Sequence, residues 1–235
     1  MNFKYCEKAL NSKSRFATPK YPRCNDVLGH SGKCSEFPFL EHLKSVAPKV
    51  ADKVQRDAIM TTGAPWKSEE AGPNRILRYA MLLTDDELIA LGIPMNTIDA
   101  GVIQKIRAKA APYTDCIRVA EYLTLQVYGM QGAPEIPKKI QDRLERALGS
   151  ELKIDKTSCL ICKMHMPFEL FELARRGKAE IETAHAFPRI HQPGNVGFAH
   201  RSCNIAQGDK DLTEFYTWIS GILTRNNWAI TPPRS

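Results

Sequence analysis

The sequence predicts an α+β protein, mostly helical at first and closed by a metal-clamped module of strand and helix. Three observations predict it. From Phe37 onward, apolar residues recur at three- and four-residue steps. No alternating strand pattern of any length appears before residue 150. The last third carries two half-sites for one ion, Cys159-x2-Cys162 and His200-x2-Cys203, on either side of a strand-like run that ends at Pro188. The expected division is an N-terminal segment over 1–36, a helical domain over 37–150 and a C-terminal module over 151–235.

Composition narrows the class. The chain has 235 residues, 43% hydrophobic and 25% charged, which is ordinary for a globular protein with a real core. There is no run of 18 apolar residues to span a bilayer. Met1-Asn-Phe-Lys-Tyr-Cys6 has no apolar signal segment, so the cytoplasm is the expected compartment. Seven cysteines, an odd number without a signal, argue against a disulfide framework and for metal ligation. A net charge of +7 suits a polyanionic partner, although mild basicity is also common among soluble proteins.

Residues 1–36 are polar and broken by Pro19, Pro22, Gly29 and Gly32. Cys24, His30 and Cys34 form a compact trio there. With Cys6 as a fourth ligand they would suit a closed tetrahedral zinc, a second one for the chain. Reduced thiols are the alternative reading.

Phe39, Leu40, Leu43, Val46, Val50, Val54 and Ile59 predict helix, which Pro48 should break or kink. Loops are expected at 61–65 and 71–74, and a short buried helix over Ile76 to Leu83. Thr84 and Glu87 form a capping box for a helix that Gly92 ends. Helices are expected over 96–111, 115–128 and 137–148, the last stopped by Gly149. Their basic residues read most simply as solvated faces, some of which can touch phosphate.

In the last third, two thiolates two residues apart can grip one tetrahedral ion from a tight turn. Alone, Cys159 and Cys162 could equally be a redox pair. His200 and Cys203 have the same spacing and complete a set of four. Four protein ligands leave no open position, so this zinc would be structural. His165 and His191 lack a partner at that spacing and are expected at the surface or facing a ligand. Between the half-sites lie Glu180 to Pro188, expected as a strand that carries Ala184 and His185 and that Pro188 ends, and Gly194-Asn195, expected in a loop. Asn204 is expected to begin a helix that carries Asp209. Met164 to Lys178 is expected as a short helix with a basic end, and Leu212 to Leu223 as a core helix carrying Phe215 and Trp218.

The order Cys-x2-Cys, Ala-His-x2-Pro, Gly-Asn, Ala-His-Arg-x-Cys-Asn-x3-Gly-Asp-Lys resembles the zinc-containing HNH, or ββα-metal, nucleases. The resemblance covers residues 155–212. It implies a ββα-metal fold for the module and hydrolysis of DNA phosphodiesters. It implies His185 as general base, Asn195 as the residue that holds the His-bearing strand and loop, and Asn204 as a ligand of one catalytic Mg²⁺ or Mn²⁺. Many members have Asp just before the histidine as a second cation ligand, and here that residue is Ala184. Glu182 and Asp209 are the substitutes to test.

The implied function is a sequence-specific, restriction-type DNA endonuclease, with room for dependence on a modified base. Its helical domain would read double-stranded DNA, and it would be a homodimer if the site is palindromic. A non-catalytic zinc-finger protein that binds nucleic acid is the main alternative, and a phage packaging or mobile-element nuclease is a third.

Overall fold

Helix begins where the apolar periodicity begins. The computed structural model describes residues 23–25, 33–62, 75–175 and 178–229. Helices α1 (Glu41–Val46) and α2 (Pro48–Ile59) are separated at Ala47, whose φ of −147° is not helical. Pro48 takes the first position of α2, where its missing N–H costs nothing. Val50, Ala51, Val54, Ala58 and Ile59 give α2 its buried stripe.

The next segment departs from the all-helical expectation. Strand β1 (Met60–Thr62) pairs antiparallel with β2 (Arg75–Leu77), Met60 opposite Leu77. Three-residue strands are too short to show alternation in sequence, which is why the hairpin was not expected. The helix expected over Ile76 to Leu83 is β2 followed by a 3₁₀ turn at Tyr79–Leu82.

Helix α3 (Asp85–Ala90) has its capping box: the Glu87 amide donates to Thr84 Oγ1 at 3.2 Å, and the Thr84 amide donates to Glu87 Oε2 at 2.7 Å. Helix α4 (Ala100–Arg107) starts later than residue 96, because Asp99 accepts from the amides of Gly101 and Val102 and caps it there. Helix α5 (Tyr113–Tyr128) is mostly buried. Helix α6 (Lys138–Leu148) starts after Pro137 and stops at Gly149, whose φ of 64° is left-handed.

A close approach joins these helices to the C-terminal part. A Cβ on Gly129, at the end of α5, would lie 2.7 Å from Thr157 Oγ1, so only glycine fits. Beyond it, Met164 to Lys178 forms a 3₁₀ turn (Phe168–Phe171) and a two-residue pairing of β3 (Ala174–Arg175) with β4 (Lys178–Ala179), not a helix. Strands β5 (Ile181–His185) and β6 (Val196–His200) pair antiparallel, Ile181 opposite His200 and His185 opposite Val196. Helix α7 (Arg201–Gln207) follows β6 at once. It begins three residues before Asn204, and Asp209 lies beyond its end at Gly208 rather than on it. Helix α8 (Leu212–Arg225) has its own capping box, Asp211 with Glu214. Phe215 is buried, whereas Trp218 is 45% exposed, outside the core where it was expected.

One apolar cluster runs from Phe37 through α2 and α5 to Phe198 on β6 and Phe215 on α8. The Phe198 amide donates to the side chain of Gln126 on α5 at 3.3 Å. Among the described residues no helix is long and apolar enough to cross a membrane.

Candidate active site and metal clamp

The clamp assembles from a turn and a strand end. The Lys163 amide donates to the Cys159 carbonyl at 3.0 Å, and Lys163 takes a left-handed φ of 62°, which closes the knuckle. His200 ends β6 and Cys203 lies in the first turn of α7. The ligand atoms of Cys159, Cys162, His200 and Cys203 all lie within 4.8 Å of one another. Cys162 Sγ is 3.3 Å from His200 Nδ1. Burial and the crowding of Cys162 and Cys159 push the Cys203 thiol up to about 12. Three thiolates held this close repel one another unless a cation is shared, and three sulfurs with one imidazole nitrogen suit tetrahedral zinc. The Tyr216 hydroxyl braces the knuckle by donating to the Ile161 carbonyl at 2.5 Å.

Of the N-terminal candidates, Cys6 and His30 lie outside the described residues. Cys24 is buried and Cys34 half-buried.

His185 ends β5, and its side chain is linked to the C-terminal end of α2 through His191. Its Nε2 lies 3.0 Å from Nδ1 of His191, and His191 Nε2 lies 2.7 Å from the carbonyl oxygen of Ala58. His191 is only 5% exposed, so its expected place at the surface is corrected. Its partner Ala58 is 133 residues away in sequence, a separation that no local spacing reveals. Burial first, and the nearby Arg78 guanidinium second, lower His185 to about 4. Burial first, then Arg78 and the neighbouring His185, lower His191 to about 3. Both rings are therefore neutral at pH 7.

Asn195 closes the loop between β5 and β6. Its Oδ1 accepts from the Phe187 amide at 2.8 Å, and its Nδ2 donates to the carbonyls of Phe187 at 2.9 Å and Ile190 at 2.5 Å. Gln207 Nε2 donates to the His185 carbonyl at 2.8 Å and ties α7 to the strand end.

On α7, Asn204 Nδ2 donates to Glu182 Oε2 at 2.6 Å, and Arg201 Nε donates to Glu182 Oε1 at 3.1 Å. Ala184 is buried at 1% exposure. So Glu182 meets Asn204 directly, and the residue before His185 is packed into the core.

Residues 36–203 match the family model described as DraIII. That match covers most of the chain, both the helical part and the clamp. The chain belongs to the DraIII family. The family match ends at the last clamp ligand, one residue short of Asn204. A solved structure titled "Crystal structure of a type II restriction endonuclease" is 39% identical, with a TM-score of 0.83. The alignment covers 95% of this DraIII-family chain and 99% of that one, so the likeness extends over both parts of the fold. Among curated proteins none matches.

Proposed function

We propose that the protein is a restriction-type DNA endonuclease of the HNH, or ββα-metal, kind, hydrolysing phosphodiesters with a histidine base and one divalent cation. The observation that carries the reading is the neutral His185 at the end of β5, bracketed by the Asn195-closed loop and by Asn204 on α7. The type II restriction endonuclease of similar fold supports the substrate class.

His185 acts as general base. It takes a proton from water as the water oxygen bonds to phosphorus and the P–O bond to the leaving oxygen breaks. Burial keeps the ring free of a proton at neutral pH, and the negative charge of an approaching phosphodiester raises its basicity when DNA binds. Asn195 fixes the backbone at Phe187, two residues beyond the base, so the imidazole does not drift. Asn204 and Glu182 supply oxygen donors for Mg²⁺ or Mn²⁺, Glu182 in the role of the carboxylate missing at Ala184. Such an ion, when bound, neutralises charge on the scissile phosphate and the leaving oxygen. Cys159, Cys162, His200 and Cys203 hold a structural zinc that pins the knuckle to α7.

The helical segment over 37–150 reads the DNA, and the segment over 151–235 cuts it. A palindromic site would be met by a homodimer. The competing reading, a zinc-bound nucleic-acid binder without catalysis, draws on Ala184. Supercoiled plasmid with Mg²⁺ or Mn²⁺ separates the two. The parent protein should cut it and His185→Ala should not. Cleavage that survives His185→Ala overturns the mechanism, and an inactive parent that still binds DNA supports the competing reading.

A further inference from the structure

The contact between the two histidines has a direction. The Ala58 carbonyl oxygen can only accept, so His191 Nε2 is the donor across their 2.7 Å. A neutral imidazole has one N–H, which leaves a lone pair on His191 Nδ1. The atom 3.0 Å from it, His185 Nε2, must then carry a hydrogen. The lone pair of His185 is therefore on Nδ1.

We infer that His191 is a positioning residue, which selects the Nε2–H tautomer of His185 and so leaves Nδ1 to take the proton from water. The inference rests on the reading of His185 as general base. It assigns a role to a residue from the loop that Asn195 closes, acting through a carbonyl of the helical part.

Three features support it. His191 is 5% exposed and closes the contact to α2, so it reaches no substrate itself. Ala58 lies in the last turn of α2, where four carbonyls lack an intrahelical partner. Arg56 and Ile59 give theirs to the amides of Met60 and Arg78, and Ala58 gives its to His191. The C-terminal end of a 12-residue helix also carries partial negative charge. When His185 becomes imidazolium, its Nε2–H bond to His191 strengthens, and the line of dipoles ends on that negative pole. A doubly protonated His191 would instead donate at both ends and force the proton of His185 onto Nδ1, blocking the base. Its buried place beside the Arg78 guanidinium disfavours that state.

The test uses the full chain on plasmid DNA, with two variants. His191→Phe keeps a flat ring and removes the acceptor. His191→Asn returns an acceptor near Nδ1. With His191→Phe, kcat should fall about 10–100-fold while KM for DNA stays within about twofold. His191→Asn should recover much of the loss. ¹⁵N NMR of the imidazoles gives an independent readout: His185 should be protonated at Nε2 alone in the parent, and at both nitrogens as a mixture in His191→Phe. A folded His191→Phe with unchanged kcat overturns the inference. So does a parent His185 protonated at Nδ1, a measurement that stands even if His191→Phe does not fold. Cleavage by His185→Ala would instead overturn the general-base reading, so the two failures are distinct.

Discussion

Thr183 donates its hydroxyl to Asp57 across 3.0 Å, tying β5, two residues before His185, to α2. Asp57 also accepts from Lys53 at 2.7 Å and Arg56 at 2.9 Å, with Arg75 at 3.6 Å. Burial alone would raise its carboxyl, but Lys53 and Arg56 outweigh that and hold it below the usual value. A carboxyl lowered in the folded state contributes stability above its unfolded pKa of 3.8 and loses it as pH falls through the folded value. Asp57→Asn should therefore cost about 1.5–3 kcal/mol near pH 7, and less at pH 3. Denaturant titration at the two pH values checks this. An equal loss at both would remove the electrostatic account.

Metal analysis of protein purified without chelator should find at least one tightly held zinc per chain, because the clamp offers four donors within 4.8 Å. Cys203→Ser should lower zinc content and Tm together, by roughly 10 °C for the few kcal/mol lost. A parent protein without zinc would remove the clamp.

Asn195→Ala leaves the amide and carbonyl of Phe187 and the carbonyl of Ile190 without their partner. A loss of about 1–3 kcal/mol is expected, with activity reduced more than DNA affinity. Asn195→Asp keeps the acceptor for the Phe187 amide and loses both donations, so it should fall between parent and alanine. Comparable Tm values in all three would mean that the loop is held by other contacts.

The buried histidines should make the protein acid-sensitive. Their folded pKa values, about 4 for His185 and about 3 for His191, lie below the ordinary 6.5. Between those values the unfolded chain binds more protons than the folded one, so stability rises with pH there and levels off above about 6.5. The loss on acidification is on the order of 3 kcal/mol for His185 and about 5 kcal/mol for His191. His191→Asn should flatten the acid limb of a Tm-versus-pH profile. A profile with the parent slope would place the acid sensitivity elsewhere.

Glu182→Gln should weaken Mn²⁺ binding at the proposed cation site at least about tenfold in calorimetry and leave zinc content unchanged. Asp209→Asn, beyond the end of α7, should change neither. The opposite pattern would transfer the carboxylate role to Asp209.

Some of the fold could be read directly. Thr84 with Glu87, Pro48 and Gly149 set helix ends through contacts within a single turn, and each ends or starts a helix where expected. The β1–β2 hairpin could not be read, because three residues on each side are held by pairing across a loop rather than by their own pattern. Met164 to Lys178 misled because Phe168, Leu170 and Phe171 mimic helical spacing, while the chain makes one 3₁₀ turn that packs Phe171 edge-on to Phe198 at 5.3 Å.

The candidate site divides in the same way. Cys159 with Cys162, and His200 with Cys203, are close in sequence, and covalent geometry keeps each pair close in space, so their spacing alone marks them as half-sites. The roles expected of His185, Asn195 and Asn204 follow from the resemblance of their motifs to the HNH nucleases. Packing alone decided that His191 is buried between His185 and Ala58, that Glu182 rather than Asp209 meets Asn204, and that Ala184 belongs to the core. The Glu182–Asn204 and His191–Ala58 contacts join residues 22 and 133 positions apart. Burial of the apolar cluster selects such distant pairs, and that cost and gain is set by the whole fold rather than by any short stretch.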